Sequence, residues 1–205
     1  EAGAVRRYLR EFLSDERIVD LPRALWLPVL HGIILNVRPA ATARNYAKIW
    51  RQESNESPLR YYTRAQAEAL AARFANVRVS WAMRYGNPSV ASQLEEMKQD
   101  GCERILVIPL YPQYSTTTTR SSFQVWMQAA HEAGLDIPTR LICCYPWEDG
   151  FIKASAEHVK PLYEKAYKET GRKPRILFSA HGLPESIVKD GDPYQWQCEQ
   201  TAEKI

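Results

Sequence analysis

The segment FSAHGLPESIVKDGDPY, residues 178–194, places one histidine directly after an apolar run and before a turn of glycine and proline. A neutral imidazole in this position can accept a proton near neutral pH or bind a divalent metal ion. His181 could equally do no chemistry and hold the following turn by a hydrogen bond. Because loops on a rigid scaffold often carry function, His181 is the first candidate, but its position alone leaves both interpretations open.

Two other segments end in side chains that could bind a ligand. Arg84 and Tyr85 close the stretch VRVSWAMRY. An arginine there is suited to grip a carboxylate or phosphate with two parallel hydrogen bonds, although an ion pair with a neighbouring helix is an equal alternative. Tyr111 follows RILVIPL and opens the loop YPQYSTTTT, which has too few glycines for a phosphate-binding loop. We expect the Tyr111 ring to face a ligand, whereas the threonines could simply cap the next helix.

Helical and strand patterns alternate along the chain and must position these residues. The helical patterns are AGAVRRYLREFL, TARNYAKIWRQ with Thr42 as its cap, TRAQAEALAARFA opened by Thr63, SVASQLEEMKQDG capped by Ser89, FQVWMQAAHEAG, residues 150–170 and DPYQWQCEQTAEKI capped by Asp192. The strand patterns are VRVSWAMRY, RILVIPL, TRLICCYP and PRILFSAH. Regular alternation predicts an α/β fold with a largely parallel sheet, in which ligands bind where the strands end.

Composition excludes several classes of protein. The net charge is +3 and the 27 Lys and Arg residues are spread along the 205 positions, so a nucleic-acid partner is not expected. The four cysteines form no CxxC pair, which favours reduced thiols in a cytosolic protein. We see no uninterrupted apolar run of the length that crosses a bilayer, and therefore expect no membrane span.

These segments resemble a known family. LFSAHGLPESIVKDGDPY is similar to the histidine signature of the ferrochelatases, which insert ferrous iron into protoporphyrin IX in the last step of heme biosynthesis. RYGNPSVASQLEEMKQDGCERILVIPLYPQYSTTTTRSS resembles the central block of that family, and GIILNVRPAATARNYAKIW its early block, in the same order. The resemblance implies two Rossmann-like α/β domains with parallel sheets and a porphyrin cleft between them.

The resemblance also implies a domain division. Residues 1–137 would form the first Rossmann-like domain, on the side of the porphyrin cleft, and residues 138–205 would begin the second, which carries His181. The family's opening strand, roughly LLVNLGTP, would precede Glu1, and an acidic segment with the glutamate that is paired with the histidine would follow Ile205. We therefore expect a chain truncated at both ends, with an incomplete second domain and little or no chelatase activity by itself.

Each candidate residue acquires a role from the resemblance. His181 corresponds to the active-site histidine, which either accepts the pyrrole protons or binds the metal. The remaining candidates would contact the porphyrin: Tyr111, Arg84 and Tyr85 by lining the pocket, and Arg38, Tyr46 and Ser57 in blocks that contact the propionates. The guanidinium of Arg38 is expected to pair with a propionate carboxylate.

Substrates and location follow from the same resemblance. Protoporphyrin IX and ferrous iron are the implied substrates. Some members of the family hold a [2Fe-2S] cluster through a cysteine at the position of Thr116, so no cluster is expected here. We expect a cytoplasmic protein, with peripheral contact to the inner membrane as a further expectation, and the sequence does not predict the oligomeric state.

Three alternatives stay open at this point. A chelatase for another tetrapyrrole would share the two-domain plan but should lack the long histidine signature. A porphyrin- or heme-binding module without catalysis would bind the ligand and insert no metal. A nucleotide-binding α/β domain is disfavoured because the phosphate loop is missing.

Overall fold

The computed structural model describes residues 2–16, 18–19 and 21–205, which form helices and one small parallel sheet. The helices are α1 (Ala2–Leu13), α2 (Arg23–Val29), a π-helical segment (Leu30–Ile34), α3 (Leu35–Ile49), α4 (Pro58–Ala71), α5 (Val90–Gln99), α6 (Thr119–Glu132), α7 (Asp149–Thr170), α8 (Glu185–Lys189) and α9 (Tyr194–Lys204). The strands are β1 (Ile105–Val107) and β2 (Thr139–Leu141). This mixture is consistent with the predicted α/β class.

The two strands pair in parallel. Ile105 lies opposite Thr139 and Val107 opposite Leu141. The Ile142 amide extends the pairing by donating to the Val107 carbonyl at 3.0 Å. Both strands lie inside segments for which the sequence predicts strands, although each is shorter than its apolar run. The loop that begins with Tyr111 follows β1 in the chain and therefore lies beyond its carboxyl end.

The stretches 77–85 and 174–181 do not form the predicted strands. In the first, Met83 makes an isolated bridge to Ser89, and the second contains no strand. A strand that is apolar on both faces is stable when neighbours pair its backbone and layers cover both faces. The described residues give the second stretch neither, since the Leu177 side chain is 84% exposed. The prediction of these two strands was therefore wrong.

The described residues divide into two compact units. The first contains the residues up to Arg104 together with Ser122–Pro138, and the second contains Ile105–Ser121 and Thr139–Ile205. Neither unit is one continuous stretch of the chain, because the segment that contains β1 belongs to the same unit as the residues from Thr139 onward. The boundary between residues 137 and 138 that the sequence suggests stays a prediction.

The core of the first unit forms where α1 packs on the π-helical segment and α3. Leu9 and Leu13 of α1 are buried against Leu30 and Leu35. The apolar spacing in AGAVRRYLREFL predicts this amphipathic helix, and the structure confirms it. The Trp26 indole donates to the Leu13 carbonyl at 2.7 Å, which satisfies a carbonyl at the end of α1.

The helix starts show which capping signals dominate. Ser57 caps α4 by accepting the Arg60 amide at 3.3 Å, and Pro58 occupies the first helical turn. Because Ser57 and Pro58 start the helix earlier, Thr63 lies inside α4, and its predicted role as the opening residue was wrong. Thr42 likewise lies inside α3 and caps nothing there. Ser89 does cap α5, as predicted, by accepting the Ser92 amide at 3.1 Å.

The helical stretch Arg23–Ile49 bears on the expectation of no membrane span. Its 27 residues are long and apolar enough, by length and composition alone, to cross a bilayer, and 17% of the apolar window is buried. A stretch can therefore be apolar enough to cross a bilayer without an uninterrupted apolar run, because a few scattered polar residues lower its mean hydropathy only slightly. Core helices pass the same test, and Leu30 and Leu35 of this stretch are buried against α1.

Candidate active site

His181 is exposed, and its ring has one hydrogen bond to the residues that the structure describes. Nδ1 lies 2.8 Å from the carbonyl oxygen of Gly182. A carbonyl can only accept, so Nδ1 is the donor, and in the neutral form of the ring the lone pair is on Nε2. The hydrogen bond orients the ring on the turn, which is the structural role considered from the sequence. It also leaves Nε2 able to accept a proton or to bind a metal ion, so the two interpretations are compatible.

Tyr111 lies beyond β1 with its side chain 36% exposed. The chain on either side of it is fixed by hydrogen bonds from the segment after β2. The Tyr145 hydroxyl donates to the Pro109 carbonyl at 2.9 Å, and the Tyr145 amide donates to the Pro112 carbonyl at 2.8 Å. Tyr145 therefore holds the chain on both sides of Tyr111, which keeps the Tyr111 ring at the carboxyl end of β1 and accessible to a ligand.

Asp192 is a buried carboxylate that sequence reasoning assigned only to a helix start. Its Oδ2 accepts hydrogen bonds from the Thr116 amide at 2.7 Å, the Thr116 hydroxyl at 2.7 Å and the Ser115 hydroxyl at 3.0 Å. Its Oδ1 accepts the Tyr194 amide at 3.0 Å. Burial by itself raises the pKa of Asp192, but these hydrogen bonds outweigh it and lower that pKa below its ordinary value.

Tyr194 connects this carboxylate to the histidine. The backbone N–H of His181 and the side chain of Cys198 both interact with the Tyr194 phenol group. Burial raises the pKa of Tyr194, Cys198 raises it further, and the His181 amide lowers it in part. The Tyr194 phenol group and the His181 backbone are therefore neighbours. The GDPY part of the signature gave no hint of this contact, because it depends on tertiary packing.

Arg84 and Tyr85 are in the first unit and share one carboxylate. Arg84 and Asp15 form an ion pair with Nη2 and Oδ2 2.5 Å apart, and their side chains are 15% and 6% exposed. The Tyr85 hydroxyl donates to the same Oδ2 at 2.9 Å. The structure therefore contains the ion pair that the sequence allowed as an alternative, with a residue two positions beyond the end of α1. That pair neutralises Arg84 where a ligand carboxylate was also considered.

Arg38, Tyr46 and Ser57 also belong to the first unit. Arg38 is exposed on α3, and Tyr46 is half-buried further along the same helix. The hydroxyl of Ser57 is used in capping α4. The structure brings none of the three into a shared hydrogen bond among the described residues, so their role as one propionate site stays a prediction.

Glu56, next to Ser57, was missed by sequence reasoning. Its carboxylate accepts the Arg64 guanidinium at 2.7 Å and lies 3.5 Å from that of Arg60. The hydrogen bond from Arg64 is the main reason why the pKa of Glu56 is lowered, against the opposing effect of burial. Both arginines of α4 are thereby engaged with Glu56. Compared with these two arginines, Arg38 on α3 is the better candidate to bind a propionate, because its side chain is exposed while theirs are engaged with Glu56.

The sequence comparison decides the family. A sequence model of ferrochelatase matches residues 1–205. The chain belongs to the ferrochelatase family. The ferrochelatase of Brucella anthropi is 46% identical over 204 residues, which cover 98% of this chain and 57% of that protein. The ferrochelatase of Brucella ovis is 46% identical over 203 residues, 97% of this chain and 56% of that protein. The chain thus spans about half the length of the curated relatives it matches.

The [2Fe-2S] cluster of some ferrochelatases can be tested against the residues present. Thr116 has a hydroxyl where such a cluster needs a thiolate, and that hydroxyl is bound to Asp192. The four cysteines are free, and burial raises the pKa of Cys143 and of Cys198, which disfavours their thiolate forms. In the part of the chain that the structure describes, no three His, Cys, Asp or Glu side chains are grouped to hold a metal. The described residues thus supply no thiolate at position 116, and the absence of a cluster stays a prediction.

Proposed function

We propose that this ferrochelatase-family chain acts in the insertion of ferrous iron into protoporphyrin IX, which forms protoheme. The observation that carries the proposal is the exposed His181 ring, whose Nδ1 lies 2.8 Å from the Gly182 carbonyl oxygen, so that Nε2 of the neutral ring is available to a proton or a metal ion. Family membership over the whole chain gives that ring its substrate class. We further propose that the active protein holds no [2Fe-2S] cluster, because Thr116 is engaged with Asp192.

The chemistry of the reaction explains why a neutral imidazole is needed. Protoporphyrin has two pyrrole N–H groups, and both protons must leave when Fe²⁺ is bound by the four nitrogens. His181 accepts each of them in turn on Nε2 and passes the first to solvent before it takes up the second, which its exposure permits. Since Nε2 has one lone pair, it cannot hold a proton and the metal at once. Proton acceptance and metal binding are therefore successive or alternative roles.

The remaining candidate residues are proposed to contact the porphyrin. Arg38 pairs with a propionate, with Tyr46 and Ser57 nearby in sequence, whereas Tyr111 offers an exposed ring to the macrocycle. Arg84 and Tyr85 line the pocket. Because Asp15 already neutralises Arg84, that guanidinium is better suited to pack flat against the ligand than to bind a second carboxylate.

Fold and location are proposed at a finer level as well. We infer two Rossmann-like domains, divided near Pro138, from the family and from the parallel pairing of β1 and β2. We also infer a cytoplasmic protein with peripheral contact to the inner membrane. Exposed apolar side chains at a spacing of four residues on the helical stretch Arg23–Ile49 support that contact, and they are Leu25, Val29, Ile33 and Val37. Fractionation of cells that express the chain tests the location.

The test of function uses a hybrid enzyme, in which this chain replaces the 204 matched residues of the Brucella anthropi ferrochelatase. We expect the hybrid to insert Fe²⁺ or Zn²⁺ into protoporphyrin, with the unaltered relative as positive control. A folded hybrid that binds protoporphyrin with a shifted Soret band and inserts no metal would support a non-catalytic binding module instead. Insertion into another tetrapyrrole but not into protoporphyrin would identify a different chelatase.

A further inference from the structure

The face of α9 that is buried in the second unit is polar. Its buried side chains are Gln197 and Thr201, and Asp192 is buried just before the helix begins. We refer to Asp192, Gln197 and Thr201 as the polar ladder. A buried polar group is costly unless it is hydrogen-bonded, so the positions of its partners are strongly specified.

The partners of the polar ladder lie in the loop that begins with Tyr111. Asp192 accepts hydrogen bonds from Ser115 and Thr116. The next member, Gln197, accepts the Tyr114 amide through Oε1 at 2.7 Å. The last member, Thr201, is 2.9 Å from the Gln113 side-chain amide, which donates to its hydroxyl. Positions that ascend along α9 thus pair with positions that descend along the loop, which fixes one segment against the other.

Asp192 differs from the other two members because it is charged and binds two segments. Its Oδ2 receives the loop through three donors, and its Oδ1 receives the Tyr194 amide. The phenol group of Tyr194 interacts in turn with the His181 backbone. One carboxylate therefore lies between the segment of Tyr111 and the segment of His181, and both belong to the same unit.

We propose that Asp192 is a positioning residue of the chelatase reaction, which sets the place of His181 relative to the Tyr111 loop. The proposal rests on the proposed function for the identity of the reaction. A side-chain amide cannot replace the carboxylate, because its oxygen accepts hydrogen bonds but its NH₂ group only donates them. If the side-chain oxygen introduced by Asp192→Asn faced Thr116, the NH₂ group beside it would face the Tyr194 amide, donor against donor.

The test compares Asp192→Asn with Asp190→Asn, which removes the same charge from an exposed carboxylate two positions away. The first readout is the imidazole NMR signal of His181 in the 205-residue chain, assigned by its loss in His181→Asn. We expect Asp192→Asn to shift that signal and Asp190→Asn to leave it in place. A purely structural role would lower the melting temperature without moving the His181 signal in the folded protein.

The second readout is kinetic and uses the hybrid enzyme. We expect Asp192→Asn to lower kcat by about 100-fold with little change in KM for the metal, since misplaced catalytic groups act on the chemical step. If the unaltered hybrid has no activity, the proposed function fails, whereas the His181 signal still tests the positioning. A folded Asp192→Asn protein with the His181 signal and kcat of Asp190→Asn would overturn the proposal.

A gentler pair of variants guards against loss of folding. Thr116→Val removes one hydroxyl that Asp192 accepts, while Thr116→Ser keeps it. We expect Thr116→Val to shift the His181 signal in the same direction as Asp192→Asn, and Thr116→Ser to restore the native signal. If Thr116→Val and Thr116→Ser leave the His181 signal equally unchanged, Asp192 does not act through this contact and the proposal is wrong.

Discussion

The Tyr85 hydroxyl donates to Oδ2 of Asp15 at 2.9 Å, although the two residues are 70 positions apart in the chain. The same oxygen pairs with Arg84, and the Tyr85 ring meets the Phe12 ring edge to face at 5.1 Å between centroids. The turn that contains two of the predicted pocket residues is thereby fixed on the end of α1. Much of its placement depends on one carboxylate that is almost fully buried.

Replacing Asp15 should test this dependence. We expect Asp15→Asn to lower the free energy of unfolding by about 3 kcal/mol, because it removes a buried charge that the Arg84 guanidinium faces. Glu16→Gln is the matched control, since Glu16 is exposed and its ion pair with Arg23 lies on the surface. That variant should change stability by less than about 1 kcal/mol. Equal losses in urea unfolding would show that the burial of the Asp15 pair is energetically unimportant.

Replacing His181 tests its proposed role in catalysis. We expect His181→Asn to lower metal insertion by the hybrid enzyme by about 100-fold or more, the usual contribution of a positioned proton acceptor. His158→Asn makes the same change at an exposed position of α7 and should keep the native rate. Protoporphyrin affinity should change little in either variant. A rate for His181→Asn close to that of His158→Asn would remove His181 from the mechanism.

The pKa of Asp192 makes a prediction for stability against pH. Its folded pKa lies below the ordinary value of 3.8, so ionised Asp192 stabilises the fold above that value. The stabilisation is lost as the pH falls through the lowered folded pKa. The difference in free energy of unfolding between the native chain and Asp192→Asn should therefore be largest near neutral pH and shrink in acid. A difference that does not depend on pH would contradict the hydrogen-bonded carboxylate.

Ser57 has a structural role and a predicted binding role, which two variants can separate. Ser57→Ala should lower the free energy of unfolding by about 1 kcal/mol, because the cap of α4 is lost. Ser57→Asp keeps a capping oxygen and should retain stability, but its charge would repel a propionate and weaken protoporphyrin binding. Calorimetric melting and fluorescence titration measure the two effects. Unchanged affinity in Ser57→Asp would leave Ser57 with the cap alone.

Arg38 should act on the ligand and not on the fold. We expect Arg38→Gln to weaken protoporphyrin binding about tenfold, as for loss of one charge-assisted hydrogen bond, and to leave melting unchanged. Arg44→Gln on the same helix controls for net charge, since Arg44 is also exposed. Protoporphyrin dimethyl ester, which has no propionate charge, should bind the native chain and Arg38→Gln alike. If the native chain still bound the ester more tightly than Arg38→Gln does, Arg38 would not act through a propionate contact.

The sequence predicts local features well and tertiary contacts poorly. The amphipathic pattern of α1 and the Ser89 cap of α5 depend on neighbours in sequence, and both were confirmed. The apolar run 174–181 reads as a strand, yet strand formation requires a paired neighbour, which no local pattern supplies. For the site, the sequence singled out His181 from its position, but the bonds from Asp192 to Thr116 connect positions 76 apart. Sequence periodicity carries no signal of such a contact.

The polar ladder constrains the number of residues in its loop. Gln113, Tyr114 and Thr116 each face one partner along α9 or just before it, in reverse order. One inserted or deleted residue between Gln113 and Thr116 would shift the loop by one position relative to the polar ladder. Buried donors would then face other donors instead of their acceptors. We therefore expect this stretch to accept changes of its exposed side chains far more readily than any change of length. The contacts with α9 therefore depend more on the register of this loop than on its exposed side chains.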